Sequence, residues 1–170
     1  MTIIVTDSFT RPADTTQYAA NDLVANSATA GNVVPLQFSV ARLGAGNGTI
    51  RAGLVFKDDE TLTDAVFNVH LFSQSPSVAN GDNGAFAPTT LANWLGFIPV
   101  DIAANGRASS TDSAGRGAPT VAINFDLWSI KSAERRLYAL LEAGDTYTPA
   151  SGEAFTVFLE ITDVVRSLGN

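Results

Sequence analysis

Leu36-Gln37-Phe38-Ser39-Val40-Ala41-Arg42 and Thr49-Ile50-Arg51-Ala52-Gly53-Leu54-Val55-Phe56 decide the fold class. In the first run Leu36, Phe38 and Val40 share one face, and Gln37, Ser39 and Ala41 the other. In the second, Ile50, Ala52, Leu54 and Phe56 alternate with Thr49, Arg51, Gly53 and Val55. Successive side chains of a strand point to opposite faces, so each run reads as a strand with one apolar face. Between them lies Gly44-Ala45-Gly46-Asn47-Gly48. Asn-Gly adopts the positive φ that a tight hairpin turn demands. The expectation is an antiparallel hairpin of residues 35–43 and 49–57.

The same period continues outward. Val66-Phe67-Asn68-Val69-His70-Leu71-Phe72 is apolar on both faces, as a central strand is. Val121, Ile123 and Phe125 form one face of a further strand, and Phe155, Val157, Leu159 and Ile161 one face of a last long one. Short strands are expected at 3–6 and 96–102. Asp126 to Gly144 has two readings. Ile130, Ala133, Leu137 and Leu141 fit helical spacing, with Gly144 as terminator. The alternative is a turn and then a strand at 136–143, closed onto 154–162 by the loop 144–152; this is preferred, because the loop then uses Pro149 and Gly152. Pro88 to Leu95 reads as a short helix with a Thr cap. Long loops occupy 10–34, 74–88 and 103–119, the last holding Gly115-Arg116-Gly117. The sum is an all-β antiparallel β-sandwich of seven or so strands, a jelly roll being one form of it, with long loops and at most short helices. A single domain over 1–170 is expected, with an extended arm or loop at about 10–34.

Composition narrows the chemistry. The chain has 170 residues, a formal net charge of −7, one His and no Cys. Absence of Cys removes disulfides, thiolate metal sites and cysteine nucleophiles. Charged residues are 16%, against a usual share of about 25%, so burial dominates and disorder is not expected. Lys occurs only at Lys57 and Lys131. An acidic chain lacks the basic face that nucleic-acid binders need to release counterions. No apolar run approaches the ~18 residues of a membrane-spanning helix. Met1-Thr2-Ile3-Ile4-Val5-Thr6-Asp7 has no basic region and does not read as a signal peptide, so the expected setting is a cytoplasm.

Each chemical motif has a plainer reading. Gly44 to Gly48 lacks the third glycine and the following helix of a dinucleotide loop, and so reads as a turn. Asn47-Gly48-Thr49 matches a glycosylation sequon, but its Asn is assigned to that turn. His70 has no nucleophile elbow to serve and is expected to be a strand histidine satisfied by a neighbour. Asp58-Asp59-Glu60, Asp64, Asp82-Asn83 and Asp112 are oxygen ligands of the kind calcium takes, without the spaced pattern of a calcium loop. They read as turn residues bonding their own backbone. Trp94, Trp128, Tyr18, Tyr138 and Tyr147 are scattered rather than gathered into a sugar platform. No catalytic residue, metal site or cofactor is assigned.

Three segments in order resemble structural proteins of tailed phages and prophages. They are Ser8-Phe9-Thr10-Arg11-Pro12-Ala13-Asp14-Thr15-Thr16-Gln17-Tyr18 continuing to Ala25, Phe67 to Ser75 with Gly81-Asp82-Asn83-Gly84-Ala85-Phe86, and Leu137-Tyr138 through Tyr147 to Val157. The resemblance is to capsid decoration (cement) proteins, which sit outside the shell, often as trimers. The strand at 136–143 also leans on it. It implies a non-enzymatic protein on the virion's capsid surface, assembled in the host cytoplasm. Its partners would be the major capsid protein and further copies of itself, as a trimer, with no nucleic acid and no membrane. A capsid or subunit interface is expected at Phe9, Arg11, Pro12, Tyr18, Asp82, Asn83 and Phe86. A tail, baseplate or glycan-binding β-sandwich is the alternative, with Trp94 or Trp128 at the sugar.

Overall fold

The computed structural model describes residues 1–41, 43, 47–126 and 135–163. Eleven strands lie along them: β1 Thr2–Thr10, β2 Leu23–Val24, β3 Leu36–Ser39, β4 Asn47–Lys57, β5 Val66–Phe72, β6 Trp94–Asp101, β7 Arg107–Ala108, β8 Ser113–Gly117, β9 Ile123–Asp126, β10 Arg136–Ala143 and β11 Ala154–Asp163. One short helix, α1, spans Ile102–Asn105, and a 3-10 turn Ala30–Asn32. The strands form two antiparallel sheets. The first runs β1-β11-β4-β8-β7, with β9 also on β4; the second runs β2-β10-β5-β6, with β3 also on β10. Their facing sides share one core, with Phe38, Phe67, Val69, Leu71, Ile98 and Leu137 from one sheet meeting Ile50, Val55, Phe155, Val157 and Leu159 from the other. The fold is all-β, as the alternation implies.

β5 is central, between β10 and β6, and 136–143 is a strand, but it does not pair with 154–162 as expected: β10 bonds to β2, β3 and β5 in one sheet and β11 to β1 and β4 in the other, so the loop 144–153 crosses between sheets. Within the ambiguous segment, residues 127–134 lie outside the described residues, and so do Trp128 and Lys131. The hairpin of 35–43 with 49–57 is not formed. Leu36 opposes Ala139 in one sheet, whereas β4 pairs with β11, β8 and β9 in the other. The reason lies in the connection: Val40 and Leu43 are buried in the core, so the chain crosses between sheets instead of turning back at the surface. Asn47 and Gly48 belong to β4, opposite Asp126 and Phe125. Gly48 is required by packing, since a Cβ there would lie 2.4 Å from the Phe125 ring.

The faces of β4 also differ from a simple alternation. Ile161 opposes Ile50 and Glu160 opposes Ala52, so Arg51 is an extra, bulged residue. A bulge of one residue reverses which side chains face the core. Ile50 points inward, but beyond Arg51 it is Gly53, Val55 and Lys57 that pair with the inward Leu159, Val157 and Phe155. Ala52, Leu54 and Phe56 therefore face out.

Three smaller expectations change. Val121 is 76% exposed and precedes β9, which begins at Ile123. Pro88 to Leu95 forms no helix: Thr90 Oγ1 accepts from the Ala92 N–H in a tight turn and β6 begins at Trp94. Gly115-Arg116-Gly117 is in a strand, not a loop. A Cβ on Gly117 would lie 1.8 Å from the Pro99 carbonyl oxygen, so β8 can cross β6 only with glycine there.

Candidate functional site

Three features gather the chain's polar and aromatic residues. The first is a pair of buried ionic clusters at one end of the sandwich. Arg11 continues the alternation of β1, its N–H donating to the Glu153 carbonyl, and its side chain turns inward. Its Nε donates to the Tyr18 hydroxyl at 2.8 Å, and its Nη2 to Asp14 Oδ1 at 3.0 Å and Asp82 Oδ2 at 3.1 Å. Asp82 Oδ1 accepts from the Tyr18 hydroxyl at 2.6 Å and the Ala25 N–H at 2.8 Å. In the second cluster Lys57 Nζ donates to Asp59 Oδ1 at 3.1 Å and lies 3.3 Å from Glu153 Oε1, which also accepts from the Tyr147 hydroxyl at 2.6 Å. Burial and the neighbouring carboxylates push both tyrosine hydroxyls well above their ordinary pKa, so they stay protonated and donate. Each buried carboxylate thus meets a cation and a hydroxyl. The two clusters hold the loops around 11–18, 57–59, 82 and 147–153 together.

These clusters place most of the residues expected at an interface. The side chains of Arg11, Tyr18 and Asp82 are buried within the chain and bonded to one another. Asn83, at φ 60°, donates to the Thr16 carbonyl at 3.0 Å, locking 81–86 onto 16–17. Phe9 stacks on Phe155 at 5.6 Å, and Pro12 accepts a backbone bond from Asp14. Residues 10–34 fold along the body, with Leu23, Val24 and Ala25 buried. The acidic turn reading holds at Asp59, which accepts from the Thr61 N–H; Asp58 instead accepts from the distant Ala154 N–H, Asp112 accepts from the Ser109 hydroxyl, and Asp82 lies in the buried Arg11 cluster. Among the described residues no group of three His, Asp or Glu side chains is placed to hold a metal ion.

The second feature is a pocket of about 350 Å³ lined by His70, Phe86, Ala87, Pro88, Leu91 and Trp94. Phe86 stacks on the His70 ring at 4.3 Å and Phe97 at 5.4 Å. His70 Nε2 is 2.9 Å from Glu142 Oε2, which also accepts from Asn68 Nδ2 at 2.8 Å. Burial works against the Glu142 charge, but these two bonds outweigh it and hold its carboxyl below the ordinary range. His70 is thereby satisfied by a neighbour, and Trp94, 40% exposed, forms the rim.

The third feature is the outer face of the first sheet. The bulge at Arg51 turns Leu54 and Phe56 out beside Phe158 and Thr156 of β11. Cross-strand rows run Thr6-Phe158-Leu54-Arg116 and Ser8-Thr156-Phe56-Ala114, with Ile4, 70% exposed, beside Glu160 and Ala52. Ile4, Leu54 and Phe158 line a shallow groove of about 200 Å³, closed on one side by the Arg116–Glu160 ion pair. Sequence alternation placed Leu54 and Phe56 on one face with Ile50; the bulge separates them from it.

The site and fold together define an all-β protein with an aromatic pocket and an apolar outer sheet face. No protein-family model matches the chain. No curated protein sequence matches it either.

Proposed function

We propose that the chain is a non-enzymatic structural protein that binds the outside of a tailed-phage capsid as a decoration, or cement, protein and stabilises the shell. The observation that carries this reading is the outer face of the first sheet. Ile4, Leu54, Phe56 and Phe158 give a low-charge apolar surface on that sheet. Such a surface, rimmed by Thr and one ion pair, has the composition of a protein contact. The segments resembling phage structural proteins support the choice of partner, the major capsid protein, and of location, the virion surface after assembly in the host cytoplasm. The contact is drawn at the outer face because Arg11, Tyr18 and Asp82 are bonded inside the chain.

The test mixes purified protein with expanded capsids that lack it. Restored resistance to heat or chelator is expected, and Phe158→Ser should weaken binding at least tenfold while leaving the melting temperature nearly unchanged. No binding by the unaltered chain overturns the proposal.

The His70 pocket favours a second reading, a tail or baseplate module that binds glycan. An exposed Trp beside an apolar pocket with a few fixed polar groups is a surface on which a sugar ring can stack. Immunogold labelling at the tail tip, with glycan binding lost in Trp94→Ala, would select it over the shell.

A further inference from the structure

Among the described residues β1 is the longest strand with a single partner strand, and the other sheet edges are short, capped or interrupted. On the second sheet, β2 is capped by the loop 81–86: the Leu23 N–H donates to the Gly84 carbonyl and the Asn83 N–H to the Leu23 carbonyl. β3 is capped by Asp7, whose Oδ2 accepts the Gln37 N–H at 2.7 Å. β6 carries Pro99, which has no N–H, and β8 crosses against its carbonyl. On the first sheet β7 is only two residues long. β1 is nine residues long and pairs with β11 alone.

The register tells which groups of β1 are free to pair. Met1 O accepts from the Asp163 N–H and the Arg11 N–H donates to the Glu153 carbonyl, so the odd residues bond to β11. In an antiparallel ladder alternate residues bond to opposite sides. The N–H and C=O groups of Thr2, Ile4, Thr6 and Ser8 therefore point away from the sheet. Ser8 is blocked, because its N–H donates to Asp7 Oδ1 at 2.9 Å. From Thr2 to Thr6 there is no charge, proline or glycine, the devices by which edge strands usually avoid pairing.

We propose that Thr2–Thr6 is a self-association edge, pairing antiparallel with the same segment of a second copy about a two-fold axis at Ile4. The occupant follows from the edge itself. In that register Ile4 opposes Ile4, Thr2 opposes Thr6, and each of these residues exchanges both N–H and C=O with its counterpart. The apolar and Thr–Thr pairs so formed are favourable cross-strand neighbours. The paired segment ends before Ser8, where Asp7 has already taken the outward N–H. No like charges meet on the edge, whereas an unrelated partner would have to match its uncharged surface without this symmetry. The nearest carboxylate on that face, Glu160, is already paired with Arg116. Side by side, the two Ile4 side chains join the two grooves lined by Leu54 and Phe158 into one continuous apolar face. The interface is narrow, so the dimer is concentration-dependent. The inference stands apart from shell binding and is measured on the protein alone.

The experiment is sedimentation of the full chain from micromolar to near-millimolar concentration, beside three variants. The unaltered chain should pass from monomer to dimer. Ile4→Pro removes an N–H that β11 does not use, so it should stay folded by circular dichroism and associate at least tenfold more weakly. Val5→Pro removes an N–H bonded to β11 and should instead unfold the sheet edge. Ile4→Lys sets two ammonium groups together and should abolish the dimer with the backbone intact, which keeps the test open if Ile4→Pro misfolds. Amide exchange at Thr2, Ile4 and Thr6 should slow as concentration rises. A chain that is monomeric throughout, or a dimer or trimer untouched by Ile4→Lys, overturns the proposal.

Discussion

Tyr18 and Tyr147 face one another across an isolated antiparallel bridge, their rings 7° from parallel with centroids 6.5 Å apart, and each donates its hydroxyl to a different buried carboxylate. The pair joins the Arg11–Asp82 cluster to the Lys57–Glu153 cluster. Tyr18→Phe removes one donor to Asp82 and the acceptor of Arg11 Nε. An unsatisfied buried polar group costs about 1–3 kcal/mol, and Tyr18→Phe should lose that much in urea unfolding, with Tyr147→Phe comparable. A loss near zero would mean that water replaces the hydroxyls.

The Lys57 cluster makes a sharper prediction. Lys57 is fully buried and Glu153 2% exposed. Burial already pushes the Glu153 carboxyl above its ordinary pKa, and Lys57→Met removes the cation that opposes this, leaving a buried carboxyl without its partner at a loss of about 3–5 kcal/mol. Replacing both, as Lys57→Met with Glu153→Leu, removes the unpartnered carboxyl as well and should cost less than the sum of the singles. A double-mutant cycle by chemical denaturation reads the coupling directly.

Two glycines separate packing from chain entropy. Gly117→Ala would place a methyl against the Pro99 carbonyl, so β8 must shift away from β6 and thermal unfolding should show a loss of about 1–3 kcal/mol. Around Gly31 there is nothing within 4 Å, and Gly31→Ala should be neutral or stabilising by up to about 1 kcal/mol.

Glu142 predicts an acid dependence. Its folded pKa lies below the ordinary value, so the native state binds fewer protons there than the unfolded chain. Its contribution to stability is complete above the ordinary glutamate pKa of about 4.3, and is lost as pH falls through its own lower pKa. Glu142→Gln should cost about 1–2 kcal/mol at neutral pH, and its melting curve should converge on that of the unaltered chain as the solution is acidified. A constant gap across the acid range would contradict this.

Strands with an even apolar beat were legible in the sequence. Phe155, Val157, Leu159 and Ile161 are all buried as their spacing implies, and β5 is central as its two apolar faces imply. Pairing was not legible between β3 and β4, because a strand chooses its neighbour through distant contacts, and an Asn-Gly pair can serve ring packing as well as a turn. The bulge at Arg51 has no local signature; it comes from register against β11. That one residue hid both the apolar outer face and the inward turn of Lys57. The burial of Arg11 and Lys57 was equally hidden, since such side chains are almost never interior unless paired, and their buried partners, Asp82 and Glu153, are far away in sequence although Asp14 and Asp59 are near. The pocket around His70 was spread over three separate segments, none of which is distinctive alone.

The place of β11 has a consequence for how the molecule is made. It lies between β1 and β4, opposing Thr2 with Thr162 and Lys57 with Phe155. β1 is synthesised well before β11 and cannot pair with it until β11 has emerged. Until then Ile3 and Val5 have no sheet to join, and the first sheet cannot close around its core. Closure of the first sheet is therefore governed by long-range pairing, slow by the standards of helical domains. During that interval the nascent chain exposes its stickiest strands, so yield in the cell should depend on chaperone supply and on the temperature of expression more than on the stability of the finished protein.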